Sequence, residues 1–266
     1  MKKIIVTALA LALALSFTAC TKVDPVGEVE PKDEVVEEVE GTVEETEEKA
    51  EEKAEEEPKE EAAEVKVMTH AEYVAAELET PVVVETYVQG KQSWWNNKGT
   101  FYTQDEDGAY FLYELPCSEE EYNKLVPGTK IRVTGYKAEY AGEIEIIDSK
   151  FEILEGNFIA EVFDATELLG TEELINHQNE FVAFNGLTVK EINYKNGEPG
   201  DDIYLTLSLG EADYSFCVEV YLTGTESDVY KAVGELNIGD KVDVEGYLYW
   251  YNGANPHITS IKVVNE

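Results

Sequence analysis

The stretch Lys124-Leu-Val-Pro-Gly-Thr-Lys-Ile-Arg-Val-Thr-Gly-Tyr136 has a second copy, Glu235-Leu-Asn-Ile-Gly-Asp-Lys-Val-Asp-Val-Glu-Gly-Tyr247. Each copy predicts a helix end, a glycine turn, a strand of alternating apolar residues and a final Gly-Tyr pair. A single register aligns Gly128 with Gly239, and it also aligns the two Gly-Tyr pairs. Self-similarity of this kind is typical of repeated structural units, so the chain is predicted to contain two copies of one small β domain.

The segments around each copy follow one order, which is three strands, a helix and two strands. The strands predicted from apolar alternation are 81–92, 99–104, 109–115, 130–140 and 143–154, then 180–194, 202–209, 213–223, 241–251 and 257–264. Capping boxes at Thr69 and Ser118 predict two short helices, and further helical segments are predicted at 165–169, 172–177 and 227–236. This is the order of the OB-fold. The predicted fold class is therefore all-β with short helices, as two OB-like five-stranded Greek-key barrels in tandem, over 66–155 and 156–266.

One hairpin carries a resemblance to a known family. The stretch Phe101-Tyr-Thr-Gln-Asp-Glu-Asp-Gly-Ala109 resembles the hairpin between the second and third strands of OB modules in secreted bacterial proteins. The resemblance covers both repeats and implies a bacterial lipoprotein with tandem OB-like domains. Some relatives sit beside extracellular nuclease or nucleotidase domains, and many stand alone as uncharacterised lipoproteins. No nuclease domain accompanies the modules in this sequence, so nuclease activity is not carried over.

The first 20 residues are typical of an export signal. A basic start is followed by the apolar run Ile4 to Phe17 and by the small residues Thr18 and Ala19 before Cys20. This end resembles a bacterial lipobox, although Phe17 stands where leucine is usual. The resemblance implies that residues 1–20 are a lipoprotein signal peptide and that Cys20 is lipidated. The alternative is an ordinary signal peptide cut after Ala19.

Residues 21–65 are predicted to be a disordered acidic stalk. The segment is rich in glutamate and its apolar residues are mostly single Val and Ala, so it repels itself and cannot bury a core. We therefore expect an exported protein, anchored by its N-terminal lipid at the bacterial cell membrane or outer surface. The stalk could alternatively be an acidic arm that binds cations or a partner.

The charge of the chain is strongly negative. Acidic residues number 57 against 20 basic residues, which gives a formal net charge of −37, and Arg132 is the single arginine. Phosphate binding depends on lysine and arginine displacing counterions. From this balance we do not expect nucleic acid as a partner.

Enzyme signatures are missing from the sequence. The three histidines, His70, His177 and His257, are widely separated, and none belongs to a metalloprotease or nucleophile motif. We predict no catalytic residue, no cofactor and no metal site. Cys117 and Cys217 do not occupy equivalent positions, so two buried thiols are favoured over a disulfide, which export would permit.

The aromatic residues give the best functional signal. Trp94 and Trp95 fall in the loop between the first two strands, which OB-folds use to bind oligonucleotides and oligosaccharides, and Tyr102 lies on the neighbouring strand. In the second domain Tyr247, Tyr249 and Tyr251 alternate along a predicted strand, which would place them on its outer face. These six residues are the candidate ligand-binding residues. The alternative is that they form contacts between the domains or fill a barrel.

Three functions are compatible with these observations. The first is a lipid-anchored, non-catalytic surface lipoprotein that binds an extracellular glycan, peptide or protein partner. The second is a nucleic-acid-binding OB-fold protein. The third is a structural accessory subunit of an envelope complex.

Overall fold

The computed structural model describes residues 66–264. Its strands are β1 Pro81–Lys91, β2 Lys98–Gln104, β3 Ala109–Pro116, β4 Thr129–Tyr140, β5 Glu143–Asn157, β6 Phe163–Asp164, β7 Phe181–Tyr194, β8 Ile203–Leu209, β9 Ala212–Val218, β10 Lys241–Tyr247 and β11 His257–Val263. Its helices are α1 His70–Ala75, α2 Glu119–Lys124, α3 Val220–Thr223 and α4 Asp228–Gly234, with 3-10 helices at Thr166–Leu168 and Glu172–His177. The predicted signal peptide with Cys20 and the predicted stalk lie outside the described residues.

Both predicted capping boxes are present. The side chain of Thr69 accepts from the backbone amide of Glu72 at the start of α1, and the Glu72 carboxylate accepts from the amide of Thr69. Ser118 and Glu121 make the same reciprocal pair at the start of α2. Each pair satisfies two amides that a helix start would otherwise leave without a partner, which explains why these six-residue helices begin where they do.

The first five strands form a closed barrel in the order β1-β2-β3-β5-β4. β1 pairs with β4 in antiparallel register, with Val84 opposite Val133, while β3 and β5 close the other side in parallel. The elements follow the predicted order of three strands, the helix α2 and two strands. This is the order of the OB-fold, so the barrel is OB-like. Its core contains fully buried apolar side chains from every strand, among them Val84, Phe101, Leu112, Val133 and Ile146.

The remaining strands form a second sheet in the order β10-β11-β9-β8-β7-β6, with an additional antiparallel pairing of β10 with β7. β9 and β11 meet in parallel at Cys217 and His257. A separate core of buried side chains lies within this part, among them Phe184, Leu205, Phe216 and Val244. The described residues are thus mostly β with short helices, as one closed barrel and a second sheet.

The two copies of the repeated stretch occupy equivalent places. The amide of Gly128 donates to the carbonyl of Val88 at 2.8 Å, and the amide of Gly239 donates to the carbonyl of Val189 at 2.8 Å. Both glycines have φ angles near +95°, at +92° and +97°, which a residue with a side chain rarely adopts. The sequence repeat therefore reflects a repeated turn with the same hydrogen bond, to β1 in the first part and to β7 in the second.

Four predicted elements differ in detail from the structure. The helical segments at 165–169 and 172–177 are short 3-10 helices, separated by Gly170 with φ +83°. The strand predicted over 213–223 ends at Val218 and continues as α3. The strand predicted over 241–251 ends at Tyr247, because the amide of Tyr249 donates back to the carbonyl of Tyr247 at 2.8 Å and turns the chain.

Within residues 66–264, no helix has the length and apolar character needed to cross a membrane. The two cysteines of this part, Cys117 and Cys217, are buried and carry free thiols. The sequence favoured this outcome over a bridge.

Candidate ligand pocket at the β1–β2 loop

The loop between β1 and β2 is a tight hairpin turn. The amide of Trp95 donates to the carbonyl of Lys98 at 3.0 Å, and the amide of Lys98 donates back at 2.9 Å. Between them Asn96 and Asn97 have φ angles of +49° and +59°. Positive φ at both central residues defines a type I′ turn, and asparagine tolerates it better than most residues. The sequence at this turn thus fixes where the two preceding indoles project.

The two tryptophans have opposite environments. Trp94 packs against the core of the first barrel, and its indole Nε1 donates to the carbonyl of Cys117 at 3.0 Å. Trp95 is 80% exposed. Adjacent residues in an extended chain point to opposite sides, so one indole anchors the loop while the other projects from it.

Trp95 lies at the edge of a cavity of about 400 Å³, which we call the Trp95 pocket. Two more exposed aromatic residues line it, Tyr113 from β3 and Tyr221 from α3. The amide and the hydroxyl of Ser93 both donate to the carbonyl of Tyr221, at 2.7 and 3.1 Å, and so hold this part of α3 against the loop. The full lining is Gln92, Ser93, Trp94, Trp95, Lys98, Gly99, Thr100, Tyr113, Glu114 and Tyr221.

One ion pair supplies the charge of the pocket lining. Lys98 Nζ lies 2.7 Å from a carboxylate oxygen of Glu114, and both side chains are exposed. The hydrogen bond from Lys98 to Glu114 raises the pKa of Lys98. Partial burial, with the Glu114 carboxylate nearby, raises the pKa of Tyr113, which keeps its hydroxyl protonated. The pocket therefore combines three aromatic surfaces with one neutralised pair of charges.

Four of the six candidate residues do not join this pocket. Tyr102 is fully buried and stacks on Tyr247, with ring centroids 4.4 Å apart and an angle of 7° between the planes. The Tyr102 hydroxyl oxygen lies 2.8 Å from His257 Nδ1. Tyr249 is partly buried and stacks on His257 at 4.3 Å, whereas Tyr251 is exposed.

The predicted outward row of tyrosines is thus wrong. β10 ends at Tyr247, so the alternation that was extended to Tyr251 does not continue along a strand. Tyr102 and Tyr247 instead form a small apolar cluster with Phe111, between the first barrel and the second sheet. This is the inter-domain contact that the sequence left as an alternative.

Two pocket residues were not found from the sequence. Tyr113 is exposed because β3 is irregular next to it, where Glu114 has φ +47° and breaks the alternation of buried and exposed residues. Tyr221 belongs to the segment that was predicted as strand, and it comes from the second half of the chain. No local pattern shows that α3 packs beside the β1–β2 loop.

His257 lies in a polar cluster between the two halves. Its Nδ1 is 3.4 Å from a carboxylate oxygen of Glu219, in addition to its contact with Tyr102. The imidazole of His257 is buried with both of these partners, which is a structural role. Among residues 66–264, no group of three or more His, Cys, Asp or Glu side chains is arranged to hold a metal ion.

No family model matches this chain, and no curated protein does. Among solved structures, several chains are similar to this one. A murine DNA binding protein bound with double-stranded DNA is 13% identical, with a TM-score of 0.34 over 70% of this chain and 96% of that chain. The Ifi202 HINa domain in complex with 20-base-pair double-stranded DNA is 12% identical, with a TM-score of 0.32 over 71% of this chain and 98% of that chain.

Another likeness is to the asparaginyl-tRNA synthetase from Pyrococcus horikoshii, complexed with asparaginyl-adenylate. It is 19% identical, with a TM-score of 0.27 over 32% of this chain and 19% of the synthetase. This chain thus matches about a fifth of the length of that enzyme.

The expectation that nucleic acid is not a partner is contradicted by these comparisons and is wrong as stated. HIN domains in complex with double-stranded DNA are among the solved chains that are similar to this one. The expectation was drawn from the net charge of the whole chain, whereas a nucleic-acid contact is made by a local surface. The local surface at the Trp95 pocket carries an exposed indole and a lysine.

Proposed function

We propose that this chain is a non-catalytic, OB-type binding module and that single-stranded nucleic acid binds at its Trp95 pocket. The observation that carries the proposal is the exposed indole of Trp95 on the loop between β1 and β2. OB-folds bind oligonucleotides and oligosaccharides with this loop. An aromatic ring that is free to stack accepts any base, because every base has a π face.

The surroundings of Trp95 support the proposal. Tyr113 and Tyr221 offer two further rings at the same pocket, and Lys98 lies at its edge. A lysine beside aromatic rings is the combination that single-strand-binding surfaces use, since the rings stack bases and the ammonium contacts phosphate. For a phosphate to be bound, Lys98 has to exchange its 2.7 Å contact with Glu114 for one with the ligand.

A neutral oligosaccharide is the second candidate ligand. The observation that favours it is the same ion pair, because Lys98 is already neutralised by Glu114. A neutral sugar would stack on Trp95 without displacing that contact. The two candidates differ in their dependence on salt, since displaced counterions make nucleic-acid affinity fall steeply with salt concentration.

The test compares two ligands and three forms of the protein. A fluorescent oligothymidylate and a soluble cello-oligosaccharide are titrated against wild type, Trp95→Ala and Tyr136→Ala, at low and at physiological salt. Tyr136 is the matched control, because it is an exposed aromatic residue outside the Trp95 pocket. Stacking of a base on an aromatic ring contributes about 1–3 kcal/mol, so Trp95→Ala should weaken oligonucleotide binding by about 5- to 150-fold.

The outcomes separate the candidates. Oligonucleotide binding that falls with salt and depends on Trp95 supports the first candidate. Sugar binding that depends on Trp95 and not on salt supports the second. If Trp95→Ala and Tyr136→Ala bind every ligand like the wild type, or if no ligand binds, the pocket is not the functional surface.

We further propose that the second sheet is a second OB-like Greek-key barrel. What supports this is the additional pairing of β10 with β7, which joins the sheet in the cycle β7-β8-β9-β11-β10. That cycle repeats the order β1-β2-β3-β5-β4 of the first barrel. The parallel contact between β9 and β11 corresponds to the one between β3 and β5.

We also propose that the protein is exported and held at a bacterial membrane by a lipid on Cys20. The support is the sequence alone, namely the basic start, the short apolar run and the small residues before Cys20. Cys20→Ser should release the protein from the membrane fraction or block its processing. Membrane retention of a fully processed Cys20→Ser protein would contradict the lipid anchor.

A further inference from the structure

A β-bulge in the wall of the Trp95 pocket directs two neighbouring side chains of β3 into the pocket. Between the paired positions of β2 and β3, Thr100 alone stands opposite the two residues Tyr113 and Glu114. The amide of Glu114 donates to the Thr100 hydroxyl at 3.2 Å, and Glu114 has φ +47°, which few residues other than glycine adopt. Neighbouring side chains of a regular strand point to opposite faces, whereas Tyr113 and Glu114 are both exposed and both line the pocket. Bulges of this kind redirect side chains at functional sites.

Trp95 and Lys98 share one face of the neighbouring hairpin. They lie directly opposite each other across the turn at Asn96 and Asn97. Directly opposite residues of an antiparallel pair place their side chains on the same face. The indole of Trp95 and the ammonium group of Lys98 therefore project together, and Lys98 meets the Glu114 carboxylate of the bulge at 2.7 Å.

The Lys98–Glu114 pair has hydrogen-bonding capacity beyond its own contact. An ammonium group has three donors and a carboxylate has about four acceptor sites, and the contact between Lys98 Nζ and Glu114 Oε2 uses one of each. The two side chains are 42% and 47% exposed, so a ligand in the pocket can reach both. The pair thus offers a donor and an acceptor side by side, next to the ring of Trp95, without having to separate.

Guanine matches this arrangement better than the other bases do. Its Watson–Crick edge carries the O6 acceptor beside two adjacent donors, the N1–H and the 2-amino group. Adenine, cytosine and thymine each have a single donor group on that edge. Bases of single strands are recognised by hydrogen bonds to this edge and by stacking on aromatic side chains. A carboxylate that accepts from two adjacent donors forms charge-assisted, bidentate hydrogen bonds, which are both strong and selective in geometry.

We propose that the Trp95 pocket selects guanine among the bases of single-stranded nucleic acid. The guanine ring stacks on Trp95, its N1–H and 2-amino groups donate to the Glu114 carboxylate, and its O6 accepts from Lys98. This inference rests on the function proposed for the pocket and adds the identity of the preferred base. A base is bound in this way while the contact between Lys98 and Glu114 persists, whereas a phosphate has to replace that contact.

The experiment uses oligonucleotides that differ at one base. Short oligothymidylates with guanine, hypoxanthine, adenine, cytosine or thymine at the central position are titrated against the full chain and followed by fluorescence anisotropy. Hypoxanthine is guanine without the 2-amino group, so it keeps the purine ring that stacks on Trp95 and loses one donor to Glu114. We expect guanine to bind more tightly than every other base, and about fivefold more tightly than hypoxanthine, as for the loss of one hydrogen bond.

The decisive variant is Glu114→Gln, which keeps the size of the side chain and replaces one carboxylate oxygen by an amide group. The variant also removes a negative charge beside the ligand, so the readout is the ratio of the guanine and hypoxanthine affinities, which should fall to about one because the bidentate acceptor is lost. Glu120→Gln is the matched control, because Glu120 is an exposed carboxylate 2.8 Å from Lys124 on α2, outside the pocket. It should keep the wild-type ratio.

Failure of base selection is distinguishable from failure of the proposed function. If guanine and hypoxanthine bind equally while Trp95→Ala weakens both, nucleic acid binds at the pocket without base selection, and the inference is overturned alone. If no oligonucleotide binds, or if Trp95→Ala changes no affinity, the inference and the proposed function fall together. A guanine preference that persists in Glu114→Gln would overturn the role assigned to Glu114.

Discussion

Glu143 gives the sharpest prediction about how the two halves are held together. Its side chain is fully buried where β5 begins, and both carboxylate oxygens accept hydrogen bonds from the second half of the chain. Asn179 Nδ2 donates at 2.6 Å and the amide of Trp250 donates at 2.8 Å. Burial nevertheless raises the pKa of Glu143 from 4.5 to about 8, although these two hydrogen bonds act in the opposite direction.

The raised pKa fixes the direction of the pH dependence. In the unfolded chain Glu143 releases its proton near pH 4.5, whereas in the folded protein it keeps the proton up to about pH 8. Between these values the folded state binds more protons, so the free energy of unfolding falls as the pH rises. The stabilisation is complete below pH 4.5 and lost by about pH 8. Each pKa unit corresponds to 1.36 kcal/mol, so the loss amounts to about 3–5 kcal/mol.

The assay is urea unfolding of wild type, Glu143→Gln and Glu155→Gln at several pH values between 5 and 8.5. Glu143→Gln removes the ionisable group, so its free energy of unfolding should decline less over this range, by about 3–5 kcal/mol relative to wild type. Glu155 lies on the same strand with an exposed side chain, so Glu155→Gln should follow wild type. If the curves of all three proteins run parallel, Glu143 does not carry the raised pKa and the reasoning is wrong.

Two further variants test the contact between the halves. Tyr102→Phe removes the hydroxyl that lies 2.8 Å from His257 Nδ1, and leaving a buried polar atom without that partner should lower the free energy of unfolding by about 1–3 kcal/mol in urea titrations. Tyr102→Phe that is as stable as wild type would contradict this. Gly90→Ala would place a methyl group 2.7 Å from the ring of Tyr247, so overpacking should cost about 1–3 kcal/mol, measured in the same way. An unchanged urea midpoint for Gly90→Ala would show that the Tyr247 ring can shift to accommodate the added methyl group.

Much of the fold could be predicted because its signals are local. The capping boxes at Thr69 and Ser118 each depend on residues three positions apart, and both are present. The hairpin turn at Asp105 is equally local, because its carboxylate accepts from the amides of Asp107 and Gly108 at 2.8 and 3.0 Å. The strand order then followed from the sequence of elements, because an OB-like barrel places a helix after its third strand.

The candidate site could be predicted only where it depends on a local turn. Two central asparagines and two adjacent indoles placed Trp95 correctly in the loop between β1 and β2. Tyr221 and the burial of Tyr102 depend on how the two halves pack together, and no periodicity within one half contains that information. A period of two shows that side chains alternate between two faces, but not which face meets another part of the protein.

The repeat itself shows why the two copies could not be equivalent in function. Tyr136 and Tyr247 end the same stretch, yet Tyr136 is exposed and Tyr247 is buried against the first barrel. Gly90 of β1 admits the Tyr247 ring, because any larger residue would place a Cβ atom within 2.7 Å of it. The first barrel thus supplies the surface at Gly90, and the second half of the chain supplies the Tyr247 ring that packs on it. The same packing brings Tyr221 beside the β1–β2 loop, so the Trp95 pocket exists only while the two halves are joined. A substitution that loosens the packing of Tyr247 should therefore weaken ligand binding at this pocket, although Tyr247 itself does not line the pocket.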